Sequence, residues 1–408
     1  MRARPRAARV AGRRQRGAAW AGALRGALEV GSDGSVVAGV GCATMSGVSR
    51  ASAGCQGEAA GLPGWCLRVF SAGRWAVASR GLALGLFVLA VLLPGLFSMP
   101  PVDRDESRFA QASRQMLESG DWAVPRIQED ERLNKPPLVY WLQAASAGVF
   151  GGEVAREGLY AGHATGGWWH GGIGWYRLPS VLCAVVASVL TWVFGRSMWR
   201  RRGVAGEIGA WVAGASLGAC VMVLWDGRQA RADQLLLLCT VAAMLGLWWS
   251  WCGSAAVGRR RAGFWSLALM WGGVAAGVLA KGPITPMVVF GAVVMIGVLT
   301  GRWRWAGRLG WLGGLGFVGL GVGAWVFFVA REVGFGVYAG IVWEEVFVRS
   351  GRAAEGHWGP PGYHLVLLPV LFWPGSLLTA AAVVWMLSRR SGRVVGSGRV
   401  RRYASGMA

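Results

Sequence analysis

The sequence predicts an all-α polytopic membrane protein, a bundle of about eight transmembrane helices with two interfacial helices in its first outer loop. Three observations predict it. Of 408 residues, 54% are hydrophobic and only 15% charged, with a mean hydropathy of +0.42. A soluble domain carries about 25% charge. Several stretches of 18 or more residues hold no charge, long enough to cross a hydrocarbon core of about 30 Å as helices. Arginine clusters recur in every second loop between those stretches.

Residues 1–80 precede the first span. They carry twelve Arg against Glu29, Asp33 and Glu58, with little apolar periodicity. Their basic region is too long for a signal peptide. A disordered cytoplasmic tail and sequence upstream of a misassigned start both fit, and no function attaches to the segment.

The spans are expected at 81–99, 178–195, 206–225, 234–252, 263–280, 283–300, 309–330 and 364–387. Arg196, Arg200, Arg201 and Arg202 follow the second, Arg259 to Arg261 the fourth, and Arg302, Arg304 and Arg308 the sixth. Six arginines between 389 and 402 follow the eighth, so 388–408 reads as a basic cytoplasmic tail, a truncated end being one reading of it. The positive-inside rule makes these loops cytoplasmic and the N-terminus inside. The formal charge of +22 then reflects orientation, and no nucleic-acid partner is required. The 66 Gly suit close helix packing in lipid and the 25 Trp suit interfacial belts. None of the seven Cys forms a CxxC pair, so neither a disulfide framework nor a cysteine metal site is expected.

The outer loops hold the chemistry. Loop 100–177 contains half of the 20 acids, and loop 331–363 is the other long one. After Pro100-Pro101, Asp105 is placed to cap a helix over 105–118 whose apolar face is Phe109, Ala112, Met116 and Leu117. A second helix follows Lys135-Pro136-Pro137, with Leu138, Trp141, Leu142, Ala145 and Val149 as its stripe. Both read as helices lying at the membrane surface.

Of 42 basic residues only Lys135 and Lys281 are lysine. Where lysine survives in so arginine-rich a chain, a compact ammonium is the expected requirement. Lys281-Gly282-Pro283 interrupts an apolar run, and an ionisable residue there is a functional candidate by default. Lys135, Lys281 and Arg349, with Arg231, fall on one side of the membrane near Asp103, Asp105 and Glu106. Such cations could hold a lipid phosphate while a carboxylate takes a proton from an acceptor hydroxyl. The histidines have no HxxxH spacing, and no metal ligands are assigned.

Asp105-Glu106-x-Arg108-Phe109-Ala110, Leu117-Glu118-Ser119-Gly120-Asp121-Trp122 and Asn134-Lys135-Pro136-Pro137-Leu138-x-Tyr140-Trp141-Leu142 resemble the first outer loop of the aminoarabinose transferase and protein O-mannosyltransferase superfamily. Arg177-Leu178-Pro179-Ser180, Arg231-Ala232-Asp233, Lys281-Gly282-Pro283 and His357-Trp358-Gly359-Pro360 follow in that family's order, over about 81–387. The resemblance implies a GT-C glycosyltransferase domain in a bacterial inner membrane, with a periplasmic active site. Such an enzyme takes a sugar from a polyprenyl phosphate, usually undecaprenyl phosphate, and delivers it to a lipid acceptor of the lipid A type or to a protein. By resemblance Asp105, with Glu106, is the catalytic acid pair. Lys135 and Arg349 clamp the carrier phosphate and Lys281 supports them. Arg108, Arg231, Asp233, Glu345 and His357 are supporting residues. A divalent metal stays open as cofactor, although Asn134 stands where the aminoarabinose branch tends to carry an acid. A polytopic transporter or lipid flippase, and an inactive truncated relative, are the alternatives; the sequence shows no paired repeats of the transporter kind.

Overall fold

The computed structural model describes residues 74–152, 172–256, 263–345 and 362–384, all within one compact unit. Apart from a two-residue hairpin, Arg126–Ile127 (β1) with Asp130–Glu131 (β2), the described segments are helices joined by turns. Gln128 takes a positive φ of 58° at the hairpin turn. The Gln115 side-chain amide holds its backbone there, its Nε2 donating to the Gln128 carbonyl and its Oε1 accepting from the Gln128 amide. The predicted all-α class stands.

Helix α1, Arg74–Leu92, starts and stops about seven residues ahead of the expected 81–99. Pro94 has no amide proton and Gly95 sits at φ 82°, so the chain unwinds into turns over 93–99. Helix α2 (Arg104–Ser119) is capped by Asp103, which accepts from the Asp105 amide, rather than by Asp105 itself. Its apolar face packs inward: Phe109, Ala112 and Met116 are buried against the bundle. Helix α3 (Leu138–Ser146, continued by a π turn over Ala147–Gly151) does the opposite. Val139, Tyr140, Gln143 and Ala144 face the protein, and Leu142 and Val149 of the expected stripe are left on the outside. This orientation suits a helix resting on lipid.

Helix α4 (Ile173–Trp199) begins five residues before the expected span, so Arg177 lies inside it. After a 3-10 turn come α5 (Gly203–Gly218), the short α6 (Val221–Asp226) and α7 (Asp233–Ala256). Next are α8 (Phe264–Lys281), α9 (Ile284–Thr300), α10 (Trp311–Val333) and α11 (Phe335–Trp343). The expected eighth span is two helices, α12 (Tyr363–Leu371) and α13 (Gly375–Val384), separated by residues 372–374 that include Pro374. Four of these helices, α4, α7, α8 and α10, are long and apolar enough to cross a membrane.

The spans approach closely through glycine. A Cβ on Gly246 of α7 would lie 2.5 Å from the Met270 amide nitrogen of α8, and one on Gly273 of α8 would lie 2.7 Å from the Cys239 carbonyl oxygen. Outward-facing Met287, Leu299, Leu312 and Leu320 are each at least 70% exposed. An apolar surface of this kind needs a lipid environment. The protein is a multi-pass membrane protein.

Candidate functional site

The loop helices and the ends of the spans share one apolar cluster. Phe109 and Met116 of α2, Tyr140 of α3, Leu235 of α7 and Ala280 of α8 all belong to it.

Lys135 precedes α3 and Lys281 ends α8, where the helix dipole favours a cation. Both line one cavity of about 650 Å³, with Asn134, Pro283 and Glu345. The Lys135 ammonium donates to Glu345 (2.5 Å) and the Lys281 ammonium to Asp233 (2.5 Å). The inner wall is aromatic: Trp325 of α10 stands edge-on to Tyr338 of α11, with centroids 5.6 Å apart. Burial pushes the Tyr338 phenol up to about 12, so it stays a neutral donor. The Asn134 side-chain oxygen is buried and has no hydrogen-bond partner among the described residues. Ile284, Met287 and Val342 line the same cavity and are also exposed, so it runs out onto the apolar outer surface.

A line of ion pairs leads away from Lys281. Asp233 also meets Arg231 (3.4 Å), and Arg231 reaches Asp226 (3.5 Å) and the α2 cap Asp103 (3.0 Å). Arg231 therefore serves three aspartates and does not line the lysine cavity. Asp226, the last residue of α6, is buried. Burial pushes its carboxyl up to about 6, Asp233 and Asp103 add to this, and Arg231 and Lys281 oppose it. The folded protein thus holds this proton more tightly than the unfolded chain does. The resulting stabilisation is complete below about pH 4 and is lost as pH rises through about 6. Asp226→Asn is expected to flatten the dependence of Tm on pH between those values, checked by thermal unfolding in detergent; an unchanged slope would count against it.

Asp105 lies in the first turn of α2, where Arg108 approaches it at 3.9 Å, and it is half-buried. It is outside the lysine cavity but near Tyr140. The Tyr140 phenol accepts from Arg132 (2.9 Å), and the Arg132 guanidinium also stacks over Phe109. Burial raises the Tyr140 pKa to about 12 against the pull of Arg132, and Asp105 raises it further.

Glu106, expected as a member of the catalytic pair, does not line the lysine cavity. It is fully buried and pairs with Arg177 of α4 at 2.6 Å. The same carboxylate oxygen accepts from the Ala230 amide, and Arg177 donates to the Leu96 and Met99 carbonyls. Glu106 thereby ties α2 to α4 and to the Ala230 amide. Arg177 was legible only as a motif residue; its signal was an arginine at the end of an apolar run, where it is costly unless paired. Tyr140 was likewise legible only as a motif residue, and Asp226, Trp325 and Tyr338 carried no signal of their own. Arg349 and His357 lie outside the described residues. Among the described residues, no group of three or more His, Cys, Asp or Glu could hold a metal ion.

No family model matches the chain. Its curated relatives include undecaprenyl phosphate-alpha-4-amino-4-deoxy-L-arabinose arabinosyl transferases. That of Proteus mirabilis is 28% identical over 310 residues, 74% of this chain and 50% of the relative. That of Yersinia pestis is 26% identical over 316 residues, 73% and 49%. In structure the chain resembles ArnT from Cupriavidus metallidurans bound to undecaprenyl phosphate. The TM-score is 0.59 and the identity 21%, covering 78% of this chain and 52% of that one. The apo form of the same ArnT gives 0.55, with 73% and 49% covered. The chain is similar in sequence to aminoarabinose transferases and in fold to ArnT. It spans about half the length of the curated relatives it matches.

Proposed function

We propose that the chain is the membrane core of a glycosyltransferase of the bacterial inner membrane. In this reading it moves a sugar from a polyprenyl phosphate to a lipid or protein acceptor at the periplasmic face. The observation that carries the reading is the cavity that joins the only two lysines of the sequence and opens onto apolar surface. The likeness to ArnT supports it.

The isoprenoid chain lies over Ile284, Met287 and Val342, and its phosphate meets Lys135 and Lys281. The bond from the anomeric carbon to the phosphate oxygen breaks as the acceptor oxygen attacks that carbon. Negative charge grows on the departing phosphate, and the two ammonium groups stabilise it. The acceptor hydroxyl proton goes to Asp105, the carboxylate of the α2 first turn that remains partly accessible. Glu345 and Asp233 hold the lysines in place before the donor arrives. Arg349 joins the clamp from the last outer loop, with His357 nearby in sequence. The arginine-rich ends of the spans face the cytoplasm.

The reading predicts that Asp105→Asn abolishes transfer without loss of inserted protein. Mass spectrometry of envelope glycolipids and glycoproteins would compare cells with the wild-type gene, the variant and no gene. A sugar mass lost equally in the last two is the expected result. Identical profiles in all three would overturn the reading.

A further inference from the structure

A second charged pocket lies at the other end of the bundle. It is formed where α1 and α5 begin, α4 ends and α7 approaches its C-terminus. The cavity is about 460 Å³ and its wall includes Arg80, Arg196, Arg200, Glu207, Trp199 and Trp249. Arg80 is only 6% exposed although it sits in the second turn of a helix. It pairs with Glu207 at 3.0 Å. Arg196 pairs with the other oxygen of that carboxylate at 2.5 Å and stacks over Trp192. The Trp192 indole donates to Glu207 as well, at 3.1 Å.

This is a built arrangement in which one carboxylate orients two guanidiniums. Among the described residues that line the pocket, three arginines stand with one glutamate. Arg200 is exposed and rims both this pocket and an adjoining one of about 550 Å³. Met198 and Trp249, at the same level, are exposed apolar side chains that suit acyl chains and headgroup depth. A soluble anion would use the charge and leave this apolar margin unexplained.

We infer that this pocket binds the phosphodiester headgroup of an anionic phospholipid. Arg80 and Arg196 form its preorganised floor, Arg200 is its exposed contact at the rim, and the acyl chains lie past Met198 and Trp249. The site is independent of the lysine cavity and of the transfer reaction. It recognises charge at the arginine-rich end of the spans, where basic pockets between helices take anionic headgroups.

Native mass spectrometry of the full chain in detergent, titrated with phosphatidylglycerol or phosphatidylcholine, tests it. Phosphatidylglycerol should be retained more tightly. Arg200→Ala should weaken that retention about fivefold, as expected of one charge at a membrane surface, and Arg200→Glu should weaken it further. Glu207→Gln should tighten it, because the internal counter-charge is gone; a merely structural glutamate would not do this. Arg304→Ala, which removes the same charge from another arginine-rich loop, should leave retention unchanged. Equal effects of Arg200→Ala and Arg304→Ala, equal retention of phosphatidylcholine, or displacement by inorganic phosphate would each overturn the assignment.

Discussion

Lys135→Ala is expected to lower sugar transfer by about 10²-fold or more while the protein still inserts, the order lost when one preorganised donor to a developing anion is removed. The ammonium lies on the cavity wall and is only partly solvated, with Glu345 as its partner. Its charge therefore acts in a medium of lower dielectric than water, and its loss is felt in full. The variant also leaves the Glu345 carboxylate facing the donor phosphate with one fewer counter-ion, and like charges there repel. Lys135→Arg keeps the charge but replaces a point donor with a planar fork, so partial recovery is expected. Glu345→Gln should be milder than either, since it removes a holder and leaves both ammonium groups. Initial rates in proteoliposomes with a synthetic polyprenyl-phosphate sugar, normalised to inserted protein, give the comparison. A full rate for Lys135→Ala would refute the clamp.

Charge pattern located the helices because lipid makes that pattern coarse: apolar runs must be long, and cations must gather at their ends. It placed their termini less well, and for identifiable reasons. The first helix stops at Leu92 because Pro94 and Gly95 break it, although the apolar run continues to Met99. The last expected span divides around Pro374. Lys135 and Lys281 were legible as candidates from their rarity and their places in the sequence, and the fold brings them to one cavity. Their partners were not legible, because Glu345 is 210 residues from Lys135 and Asp233 is 48 from Lys281. The roles of neighbouring acids were also beyond reach of spacing. Asp103, Asp105 and Glu106 stand within four residues, yet one caps a helix, one stays accessible and one is buried. Helical geometry turns each about 100° from the next, and only the surrounding bundle decides which direction is solvent. The stripe on α3 shows the same limit, since an apolar face in a membrane protein can look outward as well as inward.

Arg177→Ala is expected to destabilise the fold by about 3–5 kcal/mol, the usual cost of leaving one partner of a buried ion pair uncompensated. The pair is sealed, with Arg177 1% and Glu106 0% exposed, so no water replaces the lost guanidinium. The loss reaches further than one carboxylate. The Leu96 and Met99 carbonyls belong to the stretch that unwinds after α1, and Arg177 donates to both. Glu106 in turn fixes the 226–233 turn through the Ala230 amide. One guanidinium thus ties the end of the first helix, the start of α2 and the turn that carries Arg231 and Asp233. Replacing both partners, as in Glu106→Leu with Arg177→Met, should recover part of the stability by removing the stranded charge. It should not recover all, because the two carbonyls still lack a donor. Glu106→Gln separates positioning from catalysis. A catalytic glutamate would lose rate at unchanged Tm, whereas the buried pair predicts a lower Tm with transfer per folded molecule retained. Thermal unfolding in detergent alongside normalised transfer rates distinguishes the two, and a large loss of rate at wild-type Tm would return Glu106 to the reacting atoms.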